Sequence, residues 1–226
     1  MFNNLINLIF PKICHACKLP LSDNEKTVCT ICRHELPITN FHFENNEAVK
    51  KVLYGRAELE NATALLHFSK KGLVQELLHN LKYRGHEDIG EFLGNWLGEE
   101  LKTIKNYKEI DVVVPVPIHK NKRRERGYNQ VTKFGKAIAV ALNADYLEDA
   151  LLKLERTKTQ VFKDRITRFE DAEKRFAIGN VSGLQNKHIL LVDDIITTGA
   201  TIENCVALLK TIESAKISVA TMAIAE

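Results

Sequence analysis

Three apolar runs constrain this chain more than any other feature. DVVVPVP (Asp111–Pro117), HILLV (His188–Val192) and ISVATMAIA (Ile217–Ala225) show almost no polar alternation. A strand that is apolar on successive residues needs cover on both faces, which a helix-flanked parallel sheet provides. ATALLHF (Ala62–Phe68) reads as a further strand. Apolar residues between these runs recur at helical spacing: Leu73, Leu77, Leu78 and Leu81, then Phe92, Leu93, Trp96, Leu97, Leu101 and Ile104. Further helices are expected from about Asn129 to Leu142 and over 200–213, where Cys205, Val206, Leu209 and Ile212 point inward. The expected class is α/β, a parallel sheet between helical layers.

HILLV leads straight into Asp193-Asp194, and two residues later into Thr197-Thr198-Gly199-Ala200-Thr201. Ligands of open α/β sheets collect beyond the carboxyl ends of the strands, and a helix N-terminus offers free N–H groups and a positive dipole end to a phosphate. Gly199 would remove the Cβ that holds a phosphate away. The hydroxyls of Thr197, Thr198 and Thr201 add donors. The carboxylates would repel that phosphate but can accept from vicinal sugar hydroxyls. A phosphate at one end and a diol at the other describe a ribose 5-phosphate. A receiver domain would place such acids near its start with no Thr-Thr-Gly turn after them. The P-loop lysine pattern and G-x-G-x-x-G are absent. Two acids merely capping a helix would leave the threonine string unexplained.

Cys14 and Cys17 form one C-x2-C and Cys29 and Cys32 another, with eleven residues between the pairs. Two such turns can present four thiolates to a tetrahedral zinc. His15 and His34 adjoin the pairs and could substitute for a cysteine. Two disulfides suit a reducing compartment poorly, and a redox C-x-x-C normally needs one pair on a thioredoxin-like unit. Cys205 reads as core. A metal would fold a head too small to form its own core, and could present Lys12, Lys18 or Arg33 to DNA.

The net charge is only +3, so any polyanion argument must be local. From His119 to Arg126 stand five Lys/Arg and one Glu, a local +4 beside Tyr128 and directly after an apolar strand. Such a cluster, with Arg123 and Arg124 in it, suits a nucleic-acid backbone, and Lys82, Tyr83, Arg84 and Tyr128 would extend that surface. A solvated loop is the bland alternative.

Together these segments resemble a known family. Asp193-Asp194 with Thr197–Thr201 is similar to the phosphoribosyl-pyrophosphate (PRPP) motif of type I phosphoribosyltransferases. VVPVPIHKNKRRERGYNQ (Val113–Gln130), RTKTQ (Arg156–Gln160) with Arg168 and Phe176, and the double C-x2-C head resemble the ComF (ComFC-like) competence proteins from about Cys14 onward. Tyr128 stands where that family often has Phe, and Asp171 where Asn is common. The resemblance implies a type I phosphoribosyltransferase-like fold with a small four-cysteine zinc-finger head. It also implies that Asp193 and Asp194 hold the ribose hydroxyls and the Thr197–Thr201 turn the 5-phosphate. Pyrophosphate would lie over Pro117–His119 near Lys120, Arg123, Arg124 or Arg126, and magnesium would arrive chelated by PRPP oxygens. The implied activity is transfer of a phosphoribosyl group to an unknown acceptor; the alternative is a non-enzymatic single-stranded-DNA-binding competence factor.

The expected organisation is a zinc head over 1–40, a polar linker over 41–60 and the phosphoribosyltransferase-like domain over 61–226. Phe2, Leu5, Ile6 and Ile9 fall on one helical face, with no basic residue before them and no small-residue cleavage site after, so export is not expected. No apolar run has the length of a bilayer span, and a cytoplasmic protein without membrane insertion is expected. The charged stretch between Lys153 and Arg175 reads as a solvated helix or a flap over the site.

Overall fold

The computed structural model describes residues 11–154 and 176–225. The amphipathic pattern at Phe2–Ile9, the charged stretch after Leu154, and with it Arg156–Gln160, Arg168 and Asp171, lie outside the described residues.

The head begins with the Cys14–Cys17 turn, which an antiparallel bridge between Ile13 and Pro20 closes. Helix α1 (Thr30–Glu35) follows Cys29, whose side chain caps it by accepting from the Cys32 N–H. The stretch expected as a polar linker contains α2 (Phe41–Glu44) and α3 (Ala48–Val52). Phe41, Val49 and Leu53 there are buried and pack against the sheet, so this stretch is part of the body.

The remaining elements run β1 (Ala62–Phe68), α4 (Leu73–Tyr83), α5 (Asp88–Leu101), α6 (Lys105–Lys108), β2 (Val112–Pro115), α7 (Lys120–Arg126), α8 (Thr132–Leu142), β3 (Asp145–Tyr146), β4 (Leu151–Lys153), β5 (Phe176–Ile178), β6 (His188–Ile196), α9 (Ala200–Leu209) and β7 (Lys216–Ala225). Five strands form one parallel sheet in the order β1-β7-β6-β2-β3, while β4 and β5 pair antiparallel. Both faces are covered, as continuous apolar strands require. Leu190 and Val192 pack with α4, α5 and α8 on one face; Ile189 and Leu191 pack with α3 and α9 on the other. Cys205 is fully buried in that second layer.

Two differences from the sequence reading bear on the site. The strand expected to end at Val192 continues to Ile196 and carries both acids within it. The basic run is a helix, α7, with no buried residue, closed by Gly127 in the left-handed region at φ 84°. Close contact between α5 and α8 depends on Gly94, where a Cβ would lie 2.5 Å from the Phe134 carbonyl oxygen. That contact carries α8, and with it Gln130, up against the sheet.

Candidate phosphoribosyl site and cysteine centre

The carboxyl ends of β2 and β6 lie side by side, Pro115 in register with Val192, and the chain leaves them in opposite directions across the sheet. Such a switch point is where open α/β sheets form their ligand crevice. Strand alternation sends the two acids to opposite faces. Asp194, 4% exposed, faces the α4–α8 layer. Its Oδ1 accepts from Lys82 Nζ at 2.7 Å and its Oδ2 from Gln130 Nε2 at 2.7 Å. Asp193 faces the α9 layer, and its Oδ1 accepts from the Asp194 N–H at 2.8 Å.

Burial, and then the neighbouring Asp194 charge, push the Asp193 carboxyl up to about 8. Below that pH the folded chain holds a proton that the unfolded chain, with an ordinary aspartate, has already released above about pH 4. Stability therefore falls as pH rises between about 4 and 8. Asp193→Asn is expected to remove that slope and raise stability at pH 8 by about 1–2 kcal/mol, a figure reduced for the partial solvent access of the group. Urea titrations of the two proteins at pH 5 and pH 8 check this; equal slopes would contradict it.

Beyond Ile196 the chain turns through exposed Thr197 and Thr198 into Gly199, at φ 77°. Gly199 precedes α9 with no side-chain capping bond, so the first N–H groups of that helix stay free for a ligand. The fold supplies a further reason for glycine here. A Cβ at Gly199 would meet Leu53 Cδ2 at 2.6 Å, so the residue admits both the left-handed turn and the chain following α3. Arg56, which no local sequence signal marks, holds the same turn. Its guanidinium donates to the Thr198 carbonyl at 2.7 Å and to Glu203 Oε2 at 2.8 Å.

The basic helix divides its side chains. Lys120 and Arg123 line a cavity of about 690 Å³ with Pro117, Ile118, Asn129 and Lys153, and Arg123 also pairs with Glu148 at 3.0 Å. Arg126 turns the other way, donating to Gln130 Oε1 at 2.8 Å with its guanidinium carbon 5.1 Å from the Tyr83 ring centre. Arg124 is exposed. Of the aromatic and basic residues read as one polyanion surface, Tyr83 and Arg84 are exposed, but two others are engaged inside the fold. Lys82 neutralises Asp194, and the Tyr128 hydroxyl donates to the Leu81 carbonyl. A line of contacts thus joins Tyr83, Arg126, Gln130, Asp194 and Lys82.

The four cysteines converge as their spacing suggests. Their sulfurs lie within 4.8 Å of one another, and those of Cys17 and Cys29 are 3.8 Å apart. A tetrahedron of ~2.3 Å zinc–sulfur bonds has edges of about 3.8 Å, so the set could hold a structural zinc. Backbone N–H groups of Ala16 and Cys29 reach the Cys14 sulfur at 3.4 and 3.3 Å. Burial opposes ionisation of Cys14, but those N–H groups and that of Cys17 bring its thiol down to about 7. Cys32 is held well above the usual thiol range, first by burial and then by its sulfur neighbours.

Comparison with known proteins agrees with this geometry. Residues 150–225 match the model of the phosphoribosyl transferase domain family. The chain is 22% identical to the DNA utilization protein YhgH of Escherichia coli K12 over 217 residues, 89% of this chain and 92% of that protein. It is 32% identical to the competence protein ComFC of Streptococcus pneumoniae R6 over 143 residues, 63% of this chain and 60% of that protein. Among solved structures it is similar to a glutamine PRPP amidotransferase of B. subtilis, at 19% identity and a TM-score of 0.45, covering 64% of this chain and 30% of that one. A superposition that loose carries no functional weight. The parallel sheet, the strand–acid–threonine turn and the matched domain define a type I phosphoribosyltransferase-like fold with a cysteine head. Within that class the chain is similar to proteins named for competence and for DNA utilization. Among the described residues no helix is long and apolar enough to cross a membrane.

Proposed function

We propose that the chain binds magnesium-PRPP at the carboxyl edge of the sheet and transfers its phosphoribosyl group to an acceptor. The observation that carries this reading is the join of β6 to α9, where two carboxyl groups directly precede an exposed threonine turn and an uncapped helix N-terminus. The 5-phosphate would sit on the free N–H groups of α9, with Thr197, Thr198, Gly199, Ala200 and Thr201 around it. The ribose hydroxyls would meet Asp193 and Asp194. Pyrophosphate would lie at Pro117–His119, where Lys120 and Arg123 line the adjoining cavity. Magnesium suits this arrangement because it prefers phosphate and sugar oxygens with retained water to an all-protein cage. The protein would hold cations against the leaving group and the Asp194 charge near the anomeric carbon, which stabilise an oxocarbenium-like state.

The test is a calorimetric titration of magnesium-PRPP into the full chain and into Asp193→Asn/Asp194→Asn. Saturable heat is expected, with affinity lowered about 100-fold in the variant, as loss of one hydrogen bond to a charged group and one to a neutral carboxyl implies. Thr201→Val, which leaves the Lys82 pair intact, should also weaken binding. No heat from the folded wild type would overturn the reading.

A second reading, single-stranded DNA binding, draws on the names of the relatives and on one feature of the surface. Tyr83 is 64% exposed beside Arg126, and Arg84 and Arg124 are exposed as well. A ring backed by a guanidinium can stack a base while its neighbours meet phosphates. The same titration with an oligonucleotide, at two salt concentrations, separates the readings.

A further inference from the structure

Three metal-ligating side chains meet at a place used neither by the four thiols nor by the carboxyl edge of the sheet. His15 lies inside the first C-x2-C turn, while His86 and Asp88 lie at the entry to α5. His15 Nε2 is 3.0 Å from Asp88 Oδ2, and the two imidazole centres are 4.0 Å apart at 35°. One ligand atom from each of the three lies within 4.8 Å of the other two. We propose that His15, His86 and Asp88 form a second metal site, for zinc or a similar first-row divalent cation, that clasps the cysteine head to α5.

The geometry is close to a bound state. Ligands about 2.1 Å from an ion stand about 3.0 Å apart across an octahedral edge and about 3.4 Å apart across a tetrahedral one. The His15–Asp88 separation matches the octahedral edge, and a His86 ring nitrogen lies within 4.8 Å of both partners. An ion pair accounts for His15 and Asp88 but not for the second imidazole, whose ring makes no hydrogen bond among the described residues. The His15 backbone is pinned on both sides. Its N–H donates to the Thr27 carbonyl at 3.0 Å, and its own carbonyl accepts from Asn80 Nδ2 at 2.7 Å. One ligand is thus fixed before an ion arrives.

The ligand set selects the ion. Two imidazoles with one carboxylate suit zinc, cobalt, nickel or copper and disfavour magnesium and calcium, which take oxygen donors. Three protein ligands leave at least one position for water, in keeping with an Asp88 side chain that is 42% exposed. The location gives the ion a consequence: it would link a residue of the head to the first turn of α5, a helix that packs tightly on α8.

The test uses the full chain carrying one equivalent of zinc, which the four thiolates hold against cobalt. Cobalt is then titrated, and bound metal is counted after gel filtration. A second equivalent is expected, with absorption that lacks thiolate charge-transfer bands. Its affinity should fall at least tenfold in His86→Ala and in Asp88→Asn while the zinc equivalent stays bound. Asp88→Asn preserves shape and keeps the test decisive if His86→Ala loses structure. A wild-type chain that holds one equivalent only would overturn the proposal. So would a second equivalent of unchanged affinity in both variants, or cobalt showing thiolate absorption.

Discussion

Stripping metal from the full chain with a chelator is expected to unfold the head and leave the sheet intact. Structural zinc contributes about 10–16 kcal/mol of apparent binding energy to small four-ligand modules, which lack the apolar area to fold alone. Here the head has some help. Cys14, Ala16, Val28, Cys32 and Leu36 belong to the same buried cluster as α4 and α5, and the Asn80 amide holds the His15 carbonyl. Those contacts are too few to order two C-x2-C turns whose buried thiols would otherwise be left without a common partner. Amide exchange should rise by several orders of magnitude over residues 12–36 and stay slow in β6 and β7. Cys32→Ser should reproduce the effect, since that side chain is 2% exposed and a serine hydroxyl does not replace a thiolate on zinc. Unchanged protection of the head after complete metal removal would show that packing alone folds it.

The second large effect concerns the centre of the site. Asp194→Ala removes the partner of Lys82 and of Gln130 at once. Breaking a buried charge pair from one side costs about 3–5 kcal/mol, because the surviving charge stays in a poor solvent. The Lys82 side chain is 21% exposed, which lowers the expected loss to about 2–3 kcal/mol in urea unfolding. Adding Lys82→Met should restore much of the loss, since two apolar groups then replace the pair. A cost below about 1 kcal/mol would mean that the carboxylate is effectively solvated and free to serve a ligand without competition. The result bears on mechanism as well as stability. A ribose diol that engages Asp194 must share it with Lys82 and Gln130, whereas Asp193 offers a less committed acceptor.

Much of this is legible without coordinates. Residues 188–192, 62–68 and 217–225 read as strands because unbroken apolar sequence has few other uses in an α/β chain. The helices of 73–83 and 132–142 follow from 3.6-residue spacing. The four cysteines converge because each C-x2-C turn sets two sulfurs a short distance apart whatever lies between the pairs. A local rule misleads where it meets a distant contact. Asp193 and Asp194 look like the end of a strand because charged residues usually stop one, yet β6 continues because Lys82 and Gln130 make a buried carboxylate tolerable. Polar composition suggests a spacer over 41–60, but Phe41, Val49 and Leu53 suffice to pack it down.

The order of residues along the chain determined the layers of the fold, the convergence of four thiols and the presence of acids and a threonine turn at one strand's edge. Each depends on periodicity or on neighbours a few positions apart. Only the tertiary structure decided that the acids face opposite sides of the sheet, that Asp194 is claimed by residues 112 and 64 positions away, and that Arg56 holds the threonine turn from 142 positions away. It also decided that His15 meets His86 and Asp88. Such pairings depend on where helices dock, and docking is set by details such as Gly94 on α5, where a single missing Cβ lets α8 close on its neighbour.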